Sequence, residues 1–210
     1  MILIINCTNG FEFALIQNER IITKRKSKKL KNISEKLVVE IEKSLSKLRL
    51  NYNVITKIIV ITGPGSFTGI RSSITFAKTL NLYLNIKIIG ISKFEVLNLL
   101  TINGNKAGIK SIFIRNNGNT FFLQKFNSSG KAESVPELLD LKKKKIMINK
   151  GTRIISDDLK IKEYLDFKKK INKASPPEII SYGFENIYKV AQKLSEKKYI
   201  PKPLYTKNFF

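Results

Sequence analysis

The β-branched run Ile58-Ile59-Val60-Ile61 passes without a break into Thr62-Gly63-Pro64-Gly65-Ser66-Phe67-Thr68-Gly69-Ile70-Arg71, and this junction constrains the fold more than any other stretch. Such a run suits a central strand covered on both faces, because side chains on either side must find apolar neighbours. Beyond the loop, Ile70, Ile74, Ala77, Leu80 or Leu82, and Leu84 recur at roughly helical spacing. The glycines therefore sit in a strand-loop-helix turn. Glycine there tolerates positive φ and lets another backbone or a ligand approach, Pro64 stiffens the turn, and Ser66 or Thr68 is placed to cap the helix.

Free amides at a helix N-terminus attract anions, and Arg71 adds charge in the first turn. Gly63, Gly65, Ser66, Thr68, Gly69 and Arg71 are thus candidates for a nucleotide contact or an interface loop. Two known phosphate loops do not fit. A Walker A loop closes with Gly-Lys-Ser/Thr, whereas Gly69 is followed by Ile70 and Arg71. The Rossmann fingerprint requires G-x-G-x-x-G, whereas Gly63, Gly65 and Gly69 stand one residue too far apart, and the expected strand Ile86 to Ile91 ends without an acid for a ribose. From the residues alone, a nucleotide contact and a plain tight turn both remain open.

The nine positions Gly63 to Arg71 resemble the G-P-G-S-F-T-G-[VIL]-R signature of the TsaB family, and the likeness continues through Ala77-Lys78 and Gly90-Ile91-Ser92. That family supplies the non-catalytic subunit of the bacterial enzyme that makes threonylcarbamoyladenosine in tRNA. The resemblance implies an α/β fold of the actin, sugar-kinase and Hsp70 (ribonuclease H-like) kind, with mixed sheets, flanking helices and two small lobes. It also implies a pseudo-enzyme that docks to a TsaD-type catalytic subunit, which transfers a threonylcarbamoyl group from its AMP anhydride to adenosine 37 of tRNAs reading codons that begin with A. A TsaE-type ATPase joins that complex. By the same resemblance the chain binds no cofactor alone, contributes at most one wall to an adenine-nucleotide site at the subunit interface, meets tRNA through the complex, and pairs with a second copy when alone.

The start of the chain suits that plan. Ile2 to Ile5 and Phe11 to Ile16 flank Asn9-Gly10, a hairpin signal, and a third strand is expected at Ile21 to Lys24. In the ATPases of this superfold the first hairpin holds phosphate and an Asp ends strand one; TsaB proteins usually carry Asp-Thr-Ser there. This chain has Asn6-Cys7-Thr8, and Asn6 brings no charge to a magnesium shell. No aspartate precedes Asp140, and histidine is absent throughout. Imidazole chemistry and Ser-His-Asp or Cys-His catalysis are thereby excluded. Cys7 reads as a buried strand thiol, its alternative being a nucleophile with lysine as base. A small-molecule kinase or a peptidase on this fold is disfavoured on the same grounds.

Asn32-Ile33-Ser34-Glu35 has capping-box spacing, and Leu37, Ile41, Leu45 and Leu48 follow as an apolar stripe that Val38 widens. Ordinary core accounts for the stripe. The family resemblance adds that this helix and the one behind the glycine loop form the surface meeting the catalytic subunit or another copy, with Leu37, Ile41, Ile74 and Lys78 as contact candidates. Ser92-Lys93-Phe94-Glu95 starts a helix over about 94–100, and the Asn/Gly-rich Thr101 to Lys106 places the domain boundary between 1–101 and 102–210.

Past the boundary, Ile109 to Arg115 and Thr120 to Phe126 read as a hairpin across Asn116 to Asn119, with Phe121 and Phe122 expected on alternate sides and one of them in the core. A short helix is expected around Pro136 to Leu141, then the Lys142 to Lys145 run and a strand at Ile146 to Ile148. Ser175-Pro176-Pro177-Glu178 carries start signals for a final helix over 176–196, with Ile179, Ile180, Phe184, Ile187 and Ala191 on its buried face. The Pro201 to Lys207 tail resembles the Pro-x-Tyr-Leu-Arg end of TsaB proteins, with Thr206 and Lys207 replacing the usual last two residues.

The formal net charge of +23 admits nucleic acid or a membrane surface as partner, since dense cationic faces bind polyphosphates by counterion release. Most of the excess is lysine, which accompanies abundant isoleucine and asparagine and so follows from A/T-rich coding. Arginine, which phosphate geometry favours, is scarce. A free-standing basic RNA-binding protein is the reading opposed to the accessory subunit. No apolar window reaches membrane-spanning length, Met1 to Ile5 lacks the form of a signal peptide, and the lone cysteine suits a reducing compartment, so a cytoplasmic protein is expected.

Overall fold

The computed structural model describes residues 1–27, 32–102, 108–140, 148–167, 176–194 and 201–204. These residues form two compact units, one of Met1–Ser92 with Gly183–Leu204 and the other built on Lys93–Tyr182. Composition places a boundary at 101/102. By packing, the helix before that point groups with the second unit, and the segment from Gly183 returns to the first.

In the first unit, β1 (Ile2–Asn6), β2 (Phe11–Gln17) and β3 (Arg20–Ser27) form an antiparallel meander. The β2–β3 turn is two residues long, with Asn18 and Glu19 both at positive φ (49° and 62°), as a turn matching the strand twist requires. Helix α1 (Ile33–Lys47) crosses to β4 (Lys57–Ile61), and α2 (Phe67–Leu84) crosses to β5 (Lys87–Ile91). Both crossovers return parallel strands, giving the order β3-β2-β1-β4-β5.

Alternation along the strands divides the core. Leu3, Ile5, Phe13, Leu15, Ile58 and Val60 join Leu37, Ile41, Leu45, Ile70, Ile74 and Ala77 of α1 and α2 in one cluster. Ile4, Ala14, Ile59, Ile61, Ile89 and Ile91 point from the opposite side of the same strands and are also buried. β4 is thus covered on both faces, as its β-branched run requires. Each such side chain contributes roughly 1.5–3 kcal/mol by leaving water.

The second unit repeats the plan. β6 (Lys110–Arg115), β7 (Thr120–Phe126) and β8 (Glu137–Asp140) run antiparallel, and β6 is extended in parallel by β9 (Arg153–Ser156) and β10 (Glu178–Ile179), in the order β10-β9-β6-β7-β8. α3 (Lys93–Leu100) precedes this sheet and α4 (Lys160–Phe167) joins β9 to β10. α5 (Phe184–Lys193) follows in the first unit. Two sheets, each three antiparallel strands extended by two parallel ones, form the α/β actin-like architecture.

Several expectations are corrected. The helix expected at 136–141 is strand β8, because Leu138 and Leu139 pair with Phe122 and Phe121. The final helix does not begin at Pro176: Glu178 and Ile179 pair with β9, and Arg153 fixes Glu178 through its Nε and Nη2 at 2.8 Å each, so the start signals open a strand and the helix waits for Phe184. Ile179 and Ile180 therefore do not lie on that helix. Phe121 and Phe122 are both buried, because both faces of β7 are covered. Asn32 lies in the left-handed region (φ 56°) and makes no side-chain bond to the helix backbone; its amide meets Glu35 Oε2 instead. Leu82 and Leu48 are exposed. Lys142 to Lys145, most of the strand expected at 146–148, and Tyr205 to Lys207 lie outside the described residues.

Candidate functional site

The glycine loop leaves β4 at Thr62, whose amide donates to the Ile91 carbonyl at 2.9 Å, extending the β4–β5 pairing by one bond. A cis Gly63-Pro64 peptide follows. Ser66 then caps α2: its side-chain oxygen accepts from the Gly69 amide at 3.3 Å, and its carbonyl accepts from the Ile70 amide at 2.9 Å. Of the two candidate caps, Ser66 serves and Thr68 lies one turn position inside the helix.

The loop is pressed against the β1–β2 turn. Asn6 organises that turn by accepting from the Thr8 amide (3.2 Å) and the Thr8 hydroxyl (2.8 Å) through Oδ1. The Thr8 carbonyl in turn accepts from the Ser66 amide at 2.8 Å. A Cβ on Gly65, whose φ is +155°, would stand 2.5 Å from the Thr8 carbonyl oxygen, and one on Gly69 would fall on the Cys7 carbonyl oxygen. On its other side the loop meets the tail: the Leu204 amide donates to the Thr62 carbonyl at 2.9 Å, and Pro201 packs against Gly90, leaving no room for a side chain there.

These contacts decide what the glycines are for. They admit protein backbone, and the Ser66 and Gly69 amides are already bonded within the chain. Neither of those two amides is free to hold a phosphate. Thr68 and Arg71 are the loop candidates left exposed, and the Arg71 guanidinium stacks over the Phe67 ring, 4.4 Å from its centroid. Cys7 is fully buried, and burial pushes its thiol up to about 12, with the Glu12 charge adding to the rise against hydrogen bonds from the Glu12 backbone and Ser73. It is a packing residue. Among the described residues, no three His, Cys, Asp or Glu side chains gather to hold a metal ion.

Leu37, Ile41 and Ile74 are not available to a partner. They are 0%, 0% and 4% exposed, pointing into the sheet, because the apolar stripe of each helix is needed for the core. Lys78 is exposed. The outward positions on the same helices include Val38 and Glu42 on α1 and Phe67, Arg71, Lys78 and Leu82 on α2, with Leu82 87% exposed. The α2 ridge recurs at four, seven and four residues, a helical period set one face round from the buried stripe. The period was visible in the sequence, but which stripe faced inward was not. The roles of Thr8, Pro201 and Leu204 carried no sequence signal, since each acts through backbone approach.

Among the described residues, no helix is long and apolar enough to cross a membrane. A family model described as "TsaD: tRNA N6-adenosine threonylcarbamoyltransferase" matches residues 23–108. The chain is 33% identical over 84 residues to the tRNA threonylcarbamoyladenosine biosynthesis protein TsaB of Bacillus subtilis, covering 40% of this chain and 37% of that protein. It is 28% identical over 141 residues to the protein of the same name from Buchnera aphidicola, covering 60% and 67%. The match to the first relative thus spans little more than a third of that protein's length. Two solved Pseudomonas aeruginosa structures share the fold at a TM-score of 0.63 each. One is titled as YeaZ, at 12% identity over 93% of this chain and 92% of that one; the other, described as similar to peptidase YEAZ, is 13% identical over 93% and 91%. With the nine-residue signature seated between β4 and α2, the likeness to two proteins named TsaB supports a TsaB-type chain.

Proposed function

We propose that this chain is the non-catalytic TsaB-type subunit required for forming N6-threonylcarbamoyladenosine at position 37 of tRNA, docking to and activating a TsaD-type catalytic subunit. The observation carrying this reading is the packed loop: Gly65 and Gly69 admit the Thr8 and Cys7 backbone, and the Ser66 and Gly69 amides are bonded within the chain. Asn6, where an active relative carries aspartate, holds a turn. What the first unit still offers is a surface, the outward ridges of α1 and α2.

That surface mixes apolar Val38, Phe67 and Leu82 with charged Glu42, Arg71 and Lys78, the composition of an interface with a polar rim. Docking there favours the catalytic subunit's active arrangement to the extent that the ridge binds that arrangement more tightly than the inactive one. Thr68 and Arg71 are this chain's contribution to any adenine-nucleotide site at the joint. A TsaE-type ATPase completes the assembly, and the chain pairs with a second copy through the same ridges when alone.

The test is threonylcarbamoyl transfer to a tRNA transcript by the same organism's TsaD-type and TsaE-type proteins, with and without this chain, with co-elution on gel filtration as the binding readout. Modification and a stable complex should both require the chain. Phe67→Ala with Lys78→Glu should abolish co-elution and lower transfer at least tenfold while the variant still folds. Transfer unchanged by omitting the chain would overturn the reading.

A further inference from the structure

On the first unit, away from the glycine loop, a groove of about 520 Å³ lies between α1 and the β2–β3 edge of the sheet, lined by Phe11 and Val39 and by Arg25, Lys26, Lys36 and Lys43. Two glutamates also line it, and both are engaged: Glu40 with Lys43 at 3.6 Å, and Glu35 with the Asn32 amide at 3.3 Å. Lys26 pairs with Glu12 at 3.2 Å. Arg25 and Lys36 in the groove, and Arg20 and Lys24 on the same strand, make no ion pair among the described residues. The described part of β3 and α1 holds seven Lys or Arg against three Glu.

Composition alone does not account for this cluster. Coding bias inflates lysine, yet two of the chain's six arginines stand on this one edge strand. Of the other four, Arg115 and Arg153 are bonded to Asp158 and Glu178 and Arg71 is stacked on Phe67, while Arg49 stands just past the end of α1. Guanidinium groups are the residues that pair with phosphate geometry. The shape is also selective. A bilayer is met by a convex face with several protruding apolar side chains, whereas here the charges flank a recess in which Phe11 is 5% exposed and Val39, at 44%, is the one protruding apolar side chain among the lining residues. A cationic groove with an apolar lining follows a nucleic-acid backbone.

We infer that the β3–α1 groove binds the phosphate backbone of tRNA, with Arg25 and Lys36 as the contacting cations. The identity of the RNA rests on the tRNA-modification reading above; the groove's preference for a polyphosphate strand does not. The full chain is titrated with an unmodified tRNA transcript at increasing KCl. Neutralising two phosphate contacts lowers the salt slope by about 2 and weakens affinity roughly tenfold at moderate salt. The expected result is that loss for Arg25→Ser with Lys36→Ser, restoration in Arg25→Lys with Lys36→Arg, and less than twofold change for Lys125→Ser with Lys162→Ser, which removes the same charge elsewhere.

Equal losses in both serine pairs would show general charge attraction and overturn the inference, as would failure of the unaltered chain to bind the transcript. A groove variant that loses binding to phosphatidylserine vesicles but keeps tRNA would also overturn it. If the chain binds tRNA through the groove but transfer proceeds without the chain, the proposed function fails and the groove stands. If transfer requires the chain and the groove variant binds tRNA normally, the groove fails alone. The altered residues are on the surface, so an unfolding midpoint matching the unaltered chain separates lost contacts from lost folding.

Discussion

Gly69→Ala is the substitution that best separates packing from propensity, because the two predict opposite signs. Within a helix, replacing glycine by alanine stabilises by about 0.5–1 kcal/mol through reduced backbone entropy loss. Gly69 sits in the first turn of α2 without a positive φ, so propensity alone predicts a gain. In the structure the added methyl falls on the Cys7 carbonyl oxygen and lies 3.2 Å from both the Cys7 carbonyl carbon and Cβ. Those are mostly backbone atoms of the turn after β1, which cannot rotate away, so α2 or the turn must shift. Overpacking of this kind costs about 1–3 kcal/mol and occasionally more. The net expectation is a loss of about 1–2 kcal/mol.

Cys7 is the only cysteine in the chain and is buried in the first unit, so exposure of its thiol to a labelling reagent in urea reports that unit directly. At about 1–3 kcal/mol per molar urea, the midpoint should fall by roughly 1 M. Labelling in the absence of urea should also accelerate, since the helix lifted by the methyl is the one that covers the thiol. Thr75→Ala, on the exposed side of α2, serves as control and should leave the midpoint unchanged or slightly higher. A Gly69→Ala midpoint at or above that of the unaltered chain would refute the close approach of α2 to the β1–β2 turn, and with it the argument that the loop is filled by protein.

Other expectations follow from the same geometry. Asn6→Ala removes the acceptor of two bonds to Thr8 and should cost about 1–2 kcal/mol in the same thiol assay, whereas Asn6→Asp keeps that acceptor and should stay near the original midpoint. Deleting the chain from Pro201 onward removes the Leu204 bond to Thr62 and the Pro201 contact on Gly90, and should lower the first unit's midpoint by about 1–2 kcal/mol. Alkaline pH should move the two units in opposite directions. Cys7, raised from 9.0 to about 12 in the fold, contributes stability that is complete below pH 9 and is lost between 9 and 12, so the first unit weakens there and Cys7→Ala flattens the fall. Lys110, lowered from 10.5 to about 8 by burial and by the charge of Arg153, has the reverse sign: between pH 8 and 10.5 the unfolded chain binds more protons, so the second unit gains stability, and Lys110→Met removes that gain in urea unfolding followed by far-ultraviolet circular dichroism.

The strands and helices of the first unit were legible because each carries a local signal that agrees with its surroundings. Asn9-Gly10 announces a hairpin, the β-branched run announces a doubly covered strand, and the stripe from Leu37 announces a helix. The second unit misled where local and tertiary preferences part. Pro176-Pro177-Glu178 carries helix-start chemistry, yet Glu178 is held in a strand by Arg153, twenty-five positions earlier in the chain. Leu138 and Leu139 have no strong strand pattern and become a strand only because β7 offers them partners. At the candidate site the motif was readable, but the occupant of its glycines was not.

The sequence by itself determined the family signature, the order of elements in the first unit and the chemistry closed to this chain, because a chain without histidine and without an early aspartate lacks groups that no fold can create. Tertiary structure alone decided which stripe of α1 and α2 is core and which is surface, since two stripes on one helix are told apart only by the sheet beneath them. It also decided that the loop receives the Thr8 and Cys7 backbone: close approach between segments some sixty residues apart leaves no mark on the chain except the glycine that permits it.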